Sequence, residues 1–504
     1  MKMRNEPKIF FVLLCVFICG RIYAQEFGFG FGDDDAVSTG SANKSFSVSI
    51  GGEVSASLLG FVDDFSEGTD IVSLGDIFSG KLNFSAGTSF AEGVINLDFE
   101  TSPSPVSINE AYVRAYFGGL EIEGGLRKLT WGKADSFGPL DVINPLDYSD
   151  LSNLSDPMNQ KIARPLIHVS YRIGSFSKIQ GVFVPTFEPM RYAPKDSRWA
   201  PDQVKQLDDL PNRVKDQIQT QVQAQLQPIR QILNMYNIPS PTVTTPKVKK
   251  HEPDISTLTY AQAGIRFTTT IGPADIGLQY YYGRLTRPAV TGDTTITISE
   301  YTPIPSIPGL PPGIPSQIPK TIDAQVDLNY AYNPYHQIGV DWAQVLAGFN
   351  IRAELAANIT EDSKGDNGGV YNPALLWSFG FDRNLVWGIN LNFQLNESVR
   401  LMNDKINKTQ PDTQLPDIEA DTDATSTRII AALSKKFLRD ELELRFATLW
   451  GIEDRDFLLM PALIWTRDTV SVELSCGIFG GNKEGQFGQY NKNSFIKAAL
   501  TYSF

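Results

Sequence analysis

Segments in which apolar and polar residues alternate recur from Phe46 to the end of the chain. In the last of them, Ile496 and Leu500 fall on one face of an extended strand and Lys497 falls on the other. Successive side chains of a β-strand point to opposite faces, so each segment predicts an amphipathic strand. Because this period of two persists over so much of the chain, it excludes a helical or α/β protein. The sequence therefore predicts an all-β fold.

The connections between these segments alternate between short and long. Tight turns are predicted at 118–119, 174–175, 271–273, 381–384, 439–440 and 467–468. Longer polar loops are predicted at 63–78, 131–162, 188–256, 286–333, 360–369, 398–424 and 480–493. Short periplasmic turns and long outer loops are typical of outer-membrane barrels. We predict a transmembrane antiparallel β-barrel over residues 46–504, with about eighteen strands and a range of about 14 to 20.

The first residues of the chain have the pattern of an export signal. Lys2, Arg4 and Lys8 precede an apolar core, residues 9–20, that is too short to span a bilayer, and 22–24 resemble a cleavage site. No later window is apolar for long enough to form a transmembrane helix, so a membrane protein with this sequence would cross as a closed barrel. We predict a signal peptide at 1–24 and a flexible acidic periplasmic lead-in at 25–45. The expected location is the outer membrane of a diderm bacterium.

Charge and cysteine content narrow the choice of partners. The chain has 44 Lys and Arg against 57 Asp and Glu, a net charge of −13. This balance argues against nucleic acid as a partner. Of the three cysteines, Cys476 alone lies outside the predicted signal peptide, so neither a disulfide framework nor a cysteine metal cluster is expected. No cofactor and no metal are predicted.

Two of the long loops have patterns of their own. In residues 200–237, apolar residues recur at three- and four-residue steps, which predicts an amphipathic helix interrupted by Pro211 and Pro228. Its apolar stripe requires a surface, which could be the lumen, the barrel rim or a partner chain. Residues 286–333 contain a run of prolines between 303 and 319, which favours a stiff polyproline II spacer.

Residues 126–148 read LRKLTWGKADSFGPLDVINPLDY. Asp and Asn can cap their own turns and each Pro fixes φ, so a single rigid loop conformation is one explanation of the run. The stretch also resembles a family of largely uncharacterised bacterial outer-membrane β-barrels with a W-G-x-x-D and P-L-D-x-x-N-P-x-D run. The residues that carry the resemblance are Arg127 and Lys128 at the end of the strand and, in the loop, Trp131, Gly132, Asp135, Pro139, Leu140, Asp141, Asn144, Pro145 and Asp147. The resemblance implies a porin-like barrel, with a suggested association with the uptake or export of apolar compounds.

If the apolar faces meet lipid, the opposite faces line the lumen and tune its selectivity. The charged candidates for the lumen wall are Asp98, Glu100, Arg114, Glu121, Glu123, Arg127, Arg266, Arg352, Glu354, Glu441, Glu443, Arg445, Glu473 and Lys497. The loop at 131–162 and the helical insertion are candidates for filling the lumen. We expect a porin-like channel for small solutes, with passage controlled by these loop insertions. A transporter for apolar compounds and an adhesin with a host-binding surface are the alternatives.

The expected partners are outer-membrane lipid, small solutes and the barrel-assembly machinery, and a homo-oligomer is left open. Tyr502 and Phe504 end the last strand with aromatic residues, as does the assembly signal of bacterial outer-membrane barrels that they resemble. Enzymatic chemistry is not expected, because none of the three histidines, at 168, 251 and 336, lies in a catalytic or metal-binding motif.

Overall fold

A computed structural model describes residues 46–62, 72–73, 78–101, 105–154, 158–304, 316–406, 418–420 and 422–504. The predicted signal peptide at 1–24 and the lead-in at 25–45 lie outside the described residues. The same holds for residues 305–315, which contain most of the predicted polyproline segment.

The described chain forms a closed antiparallel β-barrel. Its sheet contains 19 strands, one of which is the two-residue segment Val72–Ser73, and the other eighteen close the barrel. Closure is made by the first and last barrel strands, which pair with Glu53 opposite Ser503 and Phe61 opposite Phe495. The predicted fold and its strand number are confirmed.

The barrel strands are β1 (Ser47–Phe61), β2 (Phe78–Gly87), β3 (Ala91–Glu100), β4 (Val106–Phe117), β5 (Leu120–Arg127), β6 (Arg164–Ile173), β7 (Ser177–Val184), β8 (Gln262–Ile271), β9 (Ala274–Arg284), β10 (Pro334–Leu346), β11 (Phe349–Thr360), β12 (Ala374–Asn384), β13 (Ile389–Arg400), β14 (Thr425–Phe437), β15 (Leu442–Gly451), β16 (Asp456–Arg467), β17 (Val470–Gly481) and β18 (Phe495–Ser503). Single 3₁₀ turns lie at Gln227–Ile229, Leu258–Tyr260, Val386–Gly388, Asn403–Lys405 and Gly488–Tyr490.

Eight short turns lie at one end of the barrel, together with the start of β1 and the end of β18. The other end holds the longer connections and also a short turn, at 452–455. One predicted turn is wrong by a few residues. The sequence placed a turn at 381–384, but β12 continues through Asn384, which pairs with Asn390, and the chain reverses at 385–388. The exposed ring of Trp387 lies in this reversal, where the backbone adopts a positive φ of 63°.

The outward faces of the strands are apolar and exposed. On β18, Ile496, Leu500 and Tyr502 are each about half exposed, while the neighbouring Phe495 points inward and is buried. Similar outward side chains occur around the barrel, including Ile122, Ile265, Leu278, Leu355, Leu444 and Leu474. A continuous apolar belt of this kind is the surface that a β-barrel presents to lipid acyl chains.

The helical insertion follows β7. It consists of α1 (Asp202–Asp208), α2 (Leu210–Leu226) and α3 (Arg230–Met235). Pro211 lies in the first turn of α2, where its missing N–H costs nothing, and Pro228 lies in the 3₁₀ turn that separates α2 from α3. The predicted helical segment is confirmed. None of the helices in the described part of the chain is long and apolar enough to cross a bilayer.

The long segment at 286–333 is largely a β-hairpin where a loop was predicted, while most of the predicted polyproline spacer lies outside the described residues. Strands Ala289–Pro303 and Gln317–Ala331 pair antiparallel, with Val290 opposite Tyr330 and Thr302 opposite Ile318. Thr242–Val243 and Lys247–His251 add parallel to the free side of the second strand. Alternation in this segment is carried by Thr as well as apolar residues, and the prolines obscured it.

The hairpin is the surface that the helical insertion requires. Ile218 of α2 packs with Ile322 and Ala324, and Leu210 packs with Val326 and Leu328. All six side chains are buried. The helices and the sheet therefore form one layered unit at the long-loop end of the barrel, outside the lumen wall.

Candidate functional site

The loop between β5 and β6 leaves the wall early and enters the lumen. β5 has 8 residues against 12 in β4, so the chain departs from the sheet at Arg127, before the end of the neighbouring strand. We refer to residues 128–154 as the inward loop. The loop at 131–162 was one of the two segments predicted from the sequence as candidates for filling the lumen.

Glu354 on β11 fixes the inward loop to the wall. Its Oε1 accepts hydrogen bonds from the backbone N–H groups of Lys133 and, at 2.7 Å, Ala134, and its Oε2 accepts one from Leu140 at 3.2 Å. Only 3% of Glu354 is exposed. A buried carboxylate with several backbone donors is a strong acceptor, because hydrogen bonds to a charged group are stronger than neutral ones.

A second attachment joins the inward loop to β11 and β13 through Asp135. Its Oδ2 lies 2.7 Å from Nη2 of Arg352 and accepts a 2.7 Å hydrogen bond from Asn392. Oε1 of Gln394 accepts the backbone N–H groups of Asp135 and Ser136. Asp135 belongs to the inward loop and not to a barrel strand. Burial raises the pKa of its carboxyl to about 6, although the positive charge of Arg352 acts to lower it.

The backbone conformation and surroundings of Gly132 explain why the W-G-x-x-D run has a glycine at this position. Its φ is +101°, and a Cβ there would lie 2.3 Å from Oε1 of Glu354. Both the backbone conformation and the approach of the carboxylate therefore exclude a side chain. The neighbouring Trp131 is buried, and its ring contacts Tyr281 edge-on at a centroid distance of 6.5 Å.

The remaining residues of the run hold the loop's own conformation. Asn144 accepts the backbone N–H of Leu129 at 2.8 Å and donates to the carbonyls of Arg127 and Ile162. Pro145 is buried, and its backbone carbonyl accepts a 2.8 Å hydrogen bond from the N–H of Ile162.

Asp141 and Asp147 make further local contacts. Asp141 lies 2.6 Å from Nζ of Lys161, and Asp147 accepts the backbone N–H of Ser149 at 2.9 Å. Of these residues Asp147 caps its own turn as predicted, whereas Asn144 bonds to backbone groups at least 15 positions away and Asp141 forms an ion pair.

A cavity of about 2360 Å³ occupies the lumen on the short-turn side of the inward loop. Most of the charged residues predicted to face the lumen line it: Arg114, Glu121, Glu123, Arg127, Arg266, Arg352, Glu443, Arg445, Glu473 and Lys497. Glu354 also points inward, but the inward loop covers it. The wall of the cavity is thus built from alternate residues of nearly every strand, as the alternation predicts.

Three of the charged residues predicted to face the lumen do not line this cavity. Asp98 pairs with Lys81, which is itself in an ion pair with Glu53, so it lies on the inner face of β3 near the outer end. Glu100 is exposed at the last position of β3. Glu441 lies in the turn between β14 and β15, outside the strand in which the pattern placed it.

One cluster of buried charges lies on the inner wall of β4, β5 and β6. Glu123, 1% exposed, accepts hydrogen bonds from Arg114 and Arg127, and its Oε2 lies 2.8 Å from Nδ1 of His168. Arg127 also lies over the ring of Tyr112 at 4.6 Å. Each charge has a counter-charge in contact, so removal of any one partner would leave a buried charge unpaired.

A second segment crosses the outer mouth of the barrel. The chain that follows β7 reaches the far wall by Ala193, and we call residues 193–201 the strap. Trp199 of the strap packs there against Phe61, Phe479 and Phe495. The 482–494 loop holds it there, since Asn493 donates to the carbonyl of Arg198 at 2.6 Å. Leu154 of the inward loop is buried in the same cluster, so the strap and the inward loop meet inside the barrel.

Comparison with known proteins gives structural likenesses alone. No family model and no curated protein matches the chain. Among solved structures, Pseudomonas aeruginosa OccK9 (OpdG) has a TM-score of 0.44 at 8% identity, with 91% of this chain and 97% of that chain covered. The Acinetobacter baumannii outer membrane channel DcaP has a TM-score of 0.38 at 9% identity, covering 92% and 100%. Wzi, an Escherichia coli outer membrane protein involved in group 1 capsule assembly and described as a carbohydrate-binding β-barrel, has a TM-score of 0.40 at 10% identity, covering 90% and 84%. Because these TM-scores and sequence identities are low, the fold assignment depends on the strand pairing observed in this chain.

Uncharged polar residues also hold the inward loop, and the sequence pattern did not mark them as site residues. Besides Asn392 and Gln394, Gln279 donates to the carbonyl of Leu140 and Gln337 to that of Pro139, each at 3.0 Å. The alternation of apolar and polar residues predicts that these side chains face inward. It does not predict their hydrogen-bond partners, because the path of a loop across the lumen has no periodic pattern in the sequence.

Proposed function

We propose that the chain is an outer-membrane channel that admits small solutes through its lumen, and that the inward loop and the strap restrict the passage. The observation that carries the proposal is a closed barrel with an apolar outer belt around a polar cavity of about 2360 Å³. A barrel of this strand number leaves an aqueous lumen wherever side chains and loops do not fill it. The predicted signal peptide, the short turns at the end that holds both barrel termini and the terminal Phe504 support placement in the outer membrane.

The restricting role rests on how firmly both segments are held. The inward loop is bound by buried acceptors on β11 and β13, and the strap by an aromatic cluster on the far wall. Loops attached in this way define a passage of fixed shape. Release of the strap from the 482–494 loop, which donates hydrogen bonds to the carbonyls of Arg198 and Trp199, would widen the outer mouth while the wall stays intact.

Planar-bilayer conductance of the chain without residues 1–24 tests the proposal, beside a variant with Trp199→Ala. We expect steady single-channel steps from the parent and larger or more frequent steps from the variant, since the strap loses its anchor. Absence of steps from both proteins, after electrophoresis has shown that each is folded and inserted, would overturn the channel. Single-channel steps of equal size and frequency from both proteins would show that the strap does not restrict the passage.

A further inference from the structure

The lumen wall on β14, β15 and β16 carries an apolar recess. Ala432 of β14 lies opposite Ala447 of β15, and Ala447 lies opposite Met460 of β16. All three residues line the cavity, and two of them have the smallest apolar side chain. On the outer side the recess ends at Leu449 and Phe495, which are buried in the cluster that also holds Trp199. We call Ala432, Ala447 and Met460 the apolar recess.

One step toward the short-turn end, the same wall becomes basic. Arg445 lies opposite Ala462, directly below Ala447 on β15. Lys497 lies opposite Ser475 in the same row of the wall, on β18 below Phe495, and both side chains line the cavity. Nζ of Lys497 contacts the amide oxygen of Asn153 on the inward loop. That partner is neutral, so the contact leaves the charge of Lys497 uncompensated.

Acidic residues face the same region and set a limit on its charge. Glu443 lies 3.1 Å from Arg445, and Glu473 lines the cavity two residues before Ser475. Lys436, opposite Glu443, adds a third base. Asp440, in the turn after β14, adds a third acid, so bases and acids are equal in number along this part of the wall. The base nearest to Phe495 is Lys497, two residues further along β18, and its described contact is with a neutral amide.

An apolar surface bordered by a cation is complementary to a solute with the same two parts. An uncharged sugar would leave the apolar recess unfilled, a small inorganic anion would contact the basic border alone, and an organic cation would meet Lys497 with like charge. We propose that this site binds an amphipathic organic anion, an aliphatic or aromatic monocarboxylate, with its apolar part in the apolar recess and its carboxylate toward Lys497 and Arg445. The proposal rests on the function proposed above and names the class of solute.

Current block in planar bilayers tests the proposal with three probes: hexanoate, acetate and hexylammonium. Hexanoate has both parts, acetate lacks the chain and hexylammonium reverses the charge. We expect hexanoate to halve the current at a concentration at least about tenfold lower than either other probe, since each buried methylene contributes roughly a fourfold gain in affinity. Equal block by the three probes would overturn the proposal while leaving the channel in place.

Two variants locate the site. Lys497→Gln removes the charge and is expected to raise the hexanoate concentration at half block by about fivefold or more. Ala447→Asp places a carboxylate in the apolar recess and is expected to abolish preferential block by hexanoate. The control is Arg172→Gln, which removes a base from the cavity wall on β6 and is expected to leave the hexanoate block unchanged. Unchanged block in both site variants would overturn the assignment.

A silent channel would not leave the site untested. Isothermal titration of hexanoate into the chain in lipid nanodiscs measures binding without current. Binding that Lys497→Gln weakens would support the site even where the channel proposal fails, and absence of binding to the parent would overturn it.

Discussion

Asp135 and Arg352 are 217 positions apart in the chain, yet the carboxylate of one lies 2.7 Å from the guanidinium of the other. The pair joins the inward loop to β11 inside the barrel. Arg352 also contacts Asp382 on β12, so one guanidinium holds two carboxylates in a region where both are nearly buried. The position of the inward loop thus depends on a small number of wall residues.

Replacing Arg352 with Gln is expected to release this part of the inward loop. Two buried carboxylates would lose their counter-charge, and removal of one partner of a buried pair costs about 3–5 kcal/mol. We expect single-channel steps that are larger and noisier than those of the parent, and a lower midpoint of urea unfolding. Asp135→Asn is the control, since it removes one acidic partner and should have the smaller effect on the midpoint. Parent-like conductance in the Arg352→Gln protein would contradict the attachment.

The glycine of the W-G-x-x-D run gives a second prediction. Gly132→Ala introduces a Cβ 2.3 Å from Oε1 of Glu354 at a φ of +101°, so the loop must shift and its bonds to Glu354 weaken. Steric strain and lost hydrogen bonds together are expected to cost about 2–4 kcal/mol. Urea unfolding in lipid vesicles measures the change. Gly181→Ala on β7, where a Cβ meets nothing within 4 Å, is the matched control and should unfold like the parent.

Alternation of apolar and polar residues was sufficient to predict the barrel, because the period of two is imposed on each strand by the lipid outside and the lumen inside. It also placed Arg352, Glu354 and Lys497 on the inner face. It could not predict that Glu354 lies beneath the inward loop, since that contact joins residues more than 200 positions apart.

The hairpin at 289–331 was missed for a different reason. Its strands lie outside the bilayer, so its solvent-facing residues include Thr, Asp and Gln, and its prolines are tolerated at the strand ends, where Pro303 and Pro319 are found. The helical stripe, in contrast, was predicted correctly because the period of a helix is a local property.

The contact between helix and hairpin can be separated from the barrel. Ile218→Asp places a charge in the cluster with Ile322 and Ala324 and is expected to detach α2, because an unpaired buried charge costs several kcal/mol. Limited proteolysis should then cut between residues 202 and 235, while the heat-modifiable electrophoretic mobility of the barrel stays unchanged. Gln217→Ala, at an exposed position, should retain the resistance of the parent. Loss of the folded barrel band with Ile218→Asp would show that the layered unit is needed for the barrel itself.

Trp199 gives a test of the strap that does not depend on current. Trp199→Ala removes a buried ring from contact with Phe61, Phe479 and Phe495, a loss of about 3–5 kcal/mol for a buried aromatic. Hydrogen exchange of residues 193–201 should rise strongly, with little change in β17 and β18. Trp387→Ala removes a ring that is 81% exposed and should leave the exchange of the strap unaffected. Slow exchange in both variants would mean that the hydrogen bonds to the 482–494 loop hold the strap without the ring.

The terminal residue gives a prediction about assembly. Phe504 exchanges two backbone hydrogen bonds with Gly52, at 2.9 and 3.0 Å, so the last residue takes part in closing the sheet. Phe504→Ala keeps these bonds and removes the ring, which separates recognition from closure. We expect the fraction of folded, heat-modifiable protein in the outer membrane to fall several-fold, while the purified variant refolds in detergent micelles as the parent does. Phe176→Ala, which removes an exposed ring from the turn between β6 and β7, controls for loss of an aromatic at the same end of the barrel. Equal outer-membrane levels of parent and Phe504→Ala would show that the terminal ring is dispensable, and slow refolding in micelles would show that its role is in the stability of the sheet and not in recognition by the assembly machinery.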